Sequence, residues 1–225
     1  MIVAIVPARG GSRGLSRKNL RRIGGRSLVE LAVAVARAAP SVDRVIVSTD
    51  DEAIAREAER VGAEVPFRRP ASLATDDAAT VDVLRHACAE LETAGETIDV
   101  VVTLQPTSPL RTADVVEAAI APVRDGEADS AVTVEELGLP WSTLGFLDGA
   151  TFRRPPQPDD QRRQASPEAA RITGAVYVTR RELLDQGLVI GPRCAAVVTR
   201  GGSTIDIDSF ADLRRARRAK SASRS

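Results

Sequence analysis

Residues 2–14 read Ile2-Val3-Ala4-Ile5-Val6-Pro7-Ala8-Arg9-Gly10-Gly11-Ser12-Arg13-Gly14, and this stretch decides the fold. Ile2 to Val6 is an unbroken apolar run of strand length, as expected of a strand buried on both faces. Pro7 ends it, and the chain passes at once into a glycine-rich loop carrying Arg9 and Arg13. Such a junction opens many α/β sheets, whose ligands bind beyond the carboxyl ends of the strands. Glycines let backbone N–H groups approach phosphate oxygens closely. Arg9, Arg13 and Lys18 add cations, two of them able to fork onto oxygens. The loop has neither the Gly-Lys-Ser/Thr ending of a Walker A motif nor the spacing of a dinucleotide loop, so a phosphate-bearing ligand other than a dinucleotide is expected. The competing reading is a plain glycine-rich turn with surface cations.

Outward from this loop, strand and helix patterns alternate. A helix is predicted at Leu28 to Ala38, opened by a Ser27/Glu30 capping box. A second buried strand spans Arg44 to Ser48. Asp50 or Asp51 caps a helix to Val61, closed by Gly62. Glu64 to Phe67 reads as a short strand, Asp77 to Leu91 as a helix, Asp99 to Leu104 as a strand, Thr112 to Val123 as a helix and Ser130 to Val134 as a strand. Leu137 to Arg171 breaks the rhythm with Gly138, Pro140, Gly149, Pro155, Pro156, Pro158 and Pro167, as a hairpin arm or lid would. The pattern resumes with strand Ala175 to Val178, a helix near Arg181 to Gln186, strands Ala195 to Thr199 and Thr204 to Ile207, and a final helix from Ser209. The expectation is one α/β domain over residues 1–225, doubly wound around a mostly parallel sheet, with residues 137–171 as an inserted arm.

Composition narrows the function classes. Acidic and basic residues balance at 31 each, which gives no support for nucleic-acid or membrane-surface binding. Two cysteines, Cys88 and Cys194, are too few for a disulfide framework or a zinc site and suit a reduced, cytoplasmic setting. The N-terminal run is too short to span a bilayer and lacks a charged leader region. The single histidine, His86, lies in a predicted helix and reads as a half-buried packing residue. Cations are otherwise arginines: Lys18 and Lys220 are the two lysines, so the lysine at 18 suggests that a compact point charge is wanted there.

Two further motifs carry chemistry. Leu104-Gln105-Pro106-Thr107-Ser108-Pro109-Leu110-Arg111 follows a strand, and its prolines stiffen a loop rich in hydrogen-bonding groups. Ile205-Asp206-Ile207-Asp208, taken as a strand, places both carboxylates on one face about 7 Å apart. That spacing holds a divalent cation between carboxylate and phosphate oxygens; two exposed acids on an edge strand are the alternative. As exposed acids, both would be replaceable without loss of the fold.

These pieces together resemble the acylneuraminate cytidylyltransferase family. The resemblance rests on residues 8–14, Lys18-Asn19-Leu20, Val47-Ser48-Thr49-Asp50, Arg69-Pro70, Leu73-Ala74-Thr75-Asp76, Leu104 to Arg111, Thr173-Gly174-Ala175-Val176-Tyr177 and Ile205 to Asp208, in the family's order over about residues 1–215. It implies a nucleotidyltransferase-type fold and a homodimer joined by the arm. Transfer of CMP from CTP to a small anionic acceptor is implied, by in-line attack of an acceptor oxygen on the α-phosphorus. Arg9, Ser12, Arg13 and Lys18 would hold the triphosphate within the loop Ala8, Arg9, Gly10, Gly11. Asn19, Arg69, Ala78 and Thr80 would surround the cytidine or its phosphates, with Arg69 and the Ala8–Arg9 backbone reading the base. Asp206 and Asp208 would bind Mg2+ or Mn2+, with Asp208 also a candidate base, and Gln105 and Arg171 would face the acceptor. The chain departs from the family at Arg13 and Thr173, where Lys and Asn are usual. It departs again at Ser142, where sialic acid synthetases commonly place Lys, and at Leu188, Val189 and Ile190, in place of aromatic residues. A nonulosonic acid is the expected acceptor, a small phosphonate the alternative, and an inactive nucleotide-binding scaffold the reading from another class.

Overall fold

The computed structural model describes residues 1–11, 14–154 and 167–222. Ser12, Arg13 and the predicted arm prolines Pro155, Pro156 and Pro158 lie outside the described residues. Six strands form the central sheet: β1 (Ile2–Pro7), β4 (Arg44–Ser48), β5 (Val100–Thr103), β6 (Ser130–Pro140), β9 (Glu168–Arg180) and β10 (Cys194–Val198). Their order is β10-β6-β9-β5-β1-β4. β1 lies parallel to β4 and β5, and β10 parallel to β6; only β9 runs against its neighbours. The mostly parallel sheet is therefore borne out.

Period-two alternation sorts these strands between two layers. Ala4, Val6, Val45, Val47, Val100 and Val102 pack beneath α1 (Leu28–Arg37), α2 (Glu52–Arg60) and α4 (Ala113–Arg124). Val3, Ile5, Ile46 and Val101 point the other way, toward α3 (Thr80–Thr93) and α5 (Arg181–Asp185). Burial on both faces is why these strands read as continuous apolar runs. The last helix, α6 (Phe210–Ala222), closes a third cluster with Leu15, Ile23, Leu28, Ile205 and Ile207. Two short pairs complete the strands: β2 (Arg22–Ile23) with β3 (Arg26–Ser27), and β7 (Phe146–Asp148) with β8 (Thr151–Arg153). Among the described residues, no helix is long and apolar enough to cross a membrane.

The helix start signals are observed as predicted. Ser27 Oγ accepts the Glu30 N–H at 3.2 Å while Glu30 Oε2 accepts the Ser27 N–H at 2.6 Å. Asp51 rather than Asp50 caps α2, accepting from Ala53 and Ile54. Four predictions need correction. Glu64 to Phe67 is not a strand; only Glu64 bridges to Ile46. α3 begins at Thr80, leaving 77–79 as loop. Residues 204–207 form no strand: a 3-10 turn, Gly201–Thr204, runs into irregular chain. Ile205 and Ile207 still point inward, but onto α6, and a single backbone bond from Ile207 N–H to the Thr107 carbonyl (2.9 Å) replaces a ladder. The segment read as an interruption also starts late and ends early. β6 continues to Pro140 and β9 starts at Glu168, so a long antiparallel ribbon leaves the sheet and carries the β7–β8 hairpin. Its outer residues are mostly exposed, Leu139 and Ile172 among them, and so lack the core's alternation.

Candidate active site

The carboxyl ends of β1, β4 and β5 open into one cleft of about 470 Å³. Arg9, Lys18, Asn19 and Arg69 line it, with Ala78 and Thr80 at the start of α3, Gln105 beyond β5, and Asp206 and Asp208. The sequence motifs, from Arg9 near one end of the chain to Asp208 near the other, thus meet in one place.

The loop after β1 is held by backbone geometry. The Ala8 N–H donates to the Ser48 carbonyl (3.0 Å), and the Gly10 N–H to Asp50 Oδ1 (2.9 Å). Ala8 is fully buried. Asn19 Nδ2 donates to the Arg9 carbonyl at 2.8 Å, so Asn19 fixes the loop as well as facing the cleft. Two glycines are required by close approach. A Cβ on Gly10 would lie 2.8 Å from Asp51 Oδ2, and one on Gly14 2.6 Å from the Asp208 carbonyl. Among the described residues, a Cβ on Gly11 would meet nothing within 4 Å.

Each cation has a defined partner. Arg9 pairs with Asp76. Lys18 Nζ donates to Asp208 Oδ1 at 2.9 Å, on a turn that Arg17 enters with φ 52°. Arg69 is 6% exposed and donates to Ser48 Oγ (3.1 Å) and the Ser48 carbonyl. Burial pulls its pKa down to about 10, with the Asp50 charge opposing and the Arg9 charge assisting. Three cations, Arg9, Lys18 and Arg69, therefore face three carboxylates, Asp76, Asp206 and Asp208, in the same cleft. Among these described side chains the charges balance, so a polyanion that brings a divalent cation with it is better matched than one arriving alone.

The carboxylates differ. Asp208 is 76% exposed. Asp206 is half-buried, and its Oδ1 is buried with no hydrogen-bond partner, which corrects the expectation of two exposed acids. No group of three His, Cys, Asp or Glu residues able to hold a metal occurs among the described residues. Two carboxylates with substrate oxygens are nevertheless the usual binding set for Mg2+, and an orphaned carboxylate oxygen fits that role.

Arg171 does not join this group. It lies on the ribbon opposite Glu135 and is paired with it (Nε to Oε2 2.7 Å). Leu188 and Ile190 are exposed beyond α5, also away from the cleft. Thr173 instead donates to Thr133 Oγ1 (2.8 Å) inside the sheet. Cys88 is buried, Cys194 exposed and both are free. His86 packs edge-on against Phe67 with 5.2 Å between ring centroids, the packing role expected of it. Sequence reasoning offered Asp50 only as a candidate helix cap and gave Asp76 no role, although both lie in motifs it had singled out. An acid in a polyanion site has no local signal; only its pairing with a loop N–H or an arginine reveals it.

A doubly wound α/β sheet, with a glycine-rich cationic loop at the end of β1 and paired acids facing it, defines a nucleotidyltransferase-type protein. The sequence matches the family model described as cytidylyltransferase over residues 3–183, and the chain belongs to that family of CTP-dependent transferases. It is 27% identical over 214 residues to pseudaminic acid cytidylyltransferase of Campylobacter jejuni, covering 94% of this chain and 92% of the relative. It is 31% identical over 147 residues to CMP-N,N'-diacetyllegionaminic acid synthase of Legionella pneumophila, covering 65% and 63%. Among solved structures, CMP:2-keto-3-deoxy-manno-octonic acid synthetase complexed with CTP superposes with a TM-score of 0.73 at 20% identity over 99% of each chain, a likeness of fold.

Proposed function

We propose that the enzyme transfers CMP from CTP to a nonulosonic acid and releases pyrophosphate. The observation that carries this reading is the meeting of Arg9, Lys18, Arg69, Gln105, Asp206 and Asp208 in one cleft at the strand ends. The relatives named for pseudaminic and legionaminic acids support the choice of acceptor and lend nothing to the phosphonate alternative. The convergence of Lys18 with both aspartates speaks against an inactive scaffold, which has no need of it.

In this reading Arg9 and Lys18 hold the triphosphate, and Arg69 with the adjoining loop reads the base. A pocket fitted to the amino donor and carbonyl acceptor of cytosine rejects uracil by leaving its own polar groups unpaired. An acceptor hydroxyl attacks the α-phosphorus; its proton leaves to a base, for which Asp208 is the candidate, and the α–β bridging P–O bond breaks to release pyrophosphate. Asp206 and Asp208 would hold Mg2+ or Mn2+, whose charge would stabilise the developing oxyanions. Arg171 stands on the ribbon, so it would reach an acceptor through a dimer in which the arm covers the partner's cleft.

Pyrophosphate release from CTP, measured across pseudaminic, legionaminic and N-acetylneuraminic acids and phosphonoformate, tests the assignment. Turnover with at least one nonulosonic acid, and poor use of UTP, are expected. Exclusive turnover of the phosphonate, or equal use of CTP, UTP and ATP, would overturn it. N-acetylneuraminate itself is expected to be a weak acceptor, because small and aliphatic residues replace the family's acyl-pocket contacts.

A further inference from the structure

Arg111 closes the Leu104–Arg111 loop, and its guanidinium is among the most enclosed charges in the protein, at 3% exposure. It donates to the Gln105 carbonyl, at the start of its own loop, and to the Ala175 carbonyl in β9. Gln105, which lines the cleft, is the residue expected there to face the acceptor. Next to Ala175, Gly174 adopts φ 76°, and a Cβ there would lie 3.5 Å from Gln105 Oε1 and 3.9 Å from the Tyr177 hydroxyl. Arg111 thus ties the Gln105 loop to the strand segment on which the Gln105 side chain rests.

A buried cation is strongly unfavourable unless a charge opposes it. Here the opposing charge is Asp206. Burial drives the Arg111 pKa down to about 9, and Asp206 is the acid that works against this. The same carboxylate, after burial, raises the Tyr177 pKa. Arg111 Nε and Asp206 Oδ1 are a buried donor and a buried acceptor, and both lack a partner. The Ile207 N–H bond to the Thr107 carbonyl joins the two loops directly. Asp206, which lines the cleft, thus acts electrostatically on two groups set back from it, Arg111 and Tyr177, and Arg111 itself does not line the cleft.

We propose that Arg111 is a positioning residue for the transfer reaction, whose buried guanidinium holds Gln105 and Asp206 in register from beneath the cleft. This rests on the reading of the cleft given under Proposed function. A guanidinium suits the task because its planar fork meets the two carbonyls from separate nitrogens, whereas an ammonium presents all its donors from one. Misplacing reacting groups by about 1 Å is enough to cost about a hundredfold in rate. A turn clamp alone would stabilise the loop without any dependence on Asp206.

The full chain is tested as Arg111→Lys, Arg111→Met, Asp206→Asn and Arg111→Met/Asp206→Asn. Thermal unfolding without nucleotide or metal reads the coupling. Asp206→Asn is expected to lower Tm in the wild-type background, because it leaves Arg111 unopposed, and to lower it less when Arg111 is already methionine. Additive Tm changes would overturn the link to Asp206. Kinetics of Arg111→Lys read the positioning: an unchanged KM for CTP with kcat/KM for the acceptor lowered about a hundredfold is expected. Wild-type values for both substrates would overturn it, and this arm decides alone if the methionine variants fail to fold. If the wild-type enzyme turns over no acceptor, the functional reading falls, and the Tm coupling still tests the link between Arg111 and Asp206.

Discussion

Lys18 and Asp208 lie 190 residues apart in sequence and 2.9 Å apart in the cleft, Nζ to Oδ1. The pair joins the loop after the first strand to the acids before the last helix. One partner is mostly exposed, so the pair adds only about 0–1 kcal/mol to stability. Its role is to hold an ammonium where a phosphate is expected. Lys18→Met should lower kcat about 10²–10³-fold, as loss of an oxyanion-stabilising donor does, with Tm little changed. Pyrophosphate release and a melting curve on the same sample check both halves.

The balance of Arg9, Lys18 and Arg69 against Asp76, Asp206 and Asp208 predicts that nucleotide and metal bind together. Calorimetric titration of CTP in EDTA should give an affinity at least about tenfold weaker, equal to about 1.4 kcal/mol, than in Mg2+. Equal affinity in both would mean that the two aspartates hold no metal.

On the ribbon and its hairpin, Leu139, Phe146, Leu147, Phe152 and Ile172 are exposed, Leu147 at 75%. Apolar surface of this kind marks an interface. Light scattering should show a dimer at micromolar concentration, and Phe146→Asp/Leu147→Asp should give a folded monomer with reduced turnover. A wild-type monomer would remove the arm from the mechanism.

Glu30 predicts an acid limit to stability. Burial, the largest influence, raises its pKa, but hydrogen bonds from Ser27 and the Arg60 guanidinium together outweigh it, and the folded pKa is lowered. A lowered pKa stabilises the fold fully above the unfolded glutamate value of about 4.3, and the stabilisation is lost as pH falls through the folded value. Glu30→Gln keeps a capping acceptor but removes the charge facing Arg60, so it should cost up to about 1 kcal/mol at neutral pH, and the cost should shrink below about pH 4. Urea unfolding at the two pH values measures it.

Sequence reading placed β1, β4, α1 and the capping residues almost to the residue, and it drew Arg9, Lys18, Arg69, Gln105, Asp206 and Asp208 toward one site. These are local signals: apolar runs, a glycine-rich loop, a capping box and motif order. What failed had no local cause. Residues 204–207 alternate like a strand, yet their apolar side chains are satisfied by α6 and the Ile207 N–H bonds to a loop carbonyl at Thr107.

By itself, then, the sequence determined the layers, because period and run length report burial directly, and it singled out most of the charged residues that the fold gathers in one cleft. Tertiary structure alone decided how those residues divide the work. It set Asp208 in solvent beside Lys18, and it half-buried Asp206 with one carboxylate oxygen left without a hydrogen-bond partner. It gave Arg9 to Asp76, and it placed Arg171 against Glu135 outside the cleft. Partners of a charge are chosen by distance and burial in the folded chain, and neither quantity is written in the spacing of residues along it.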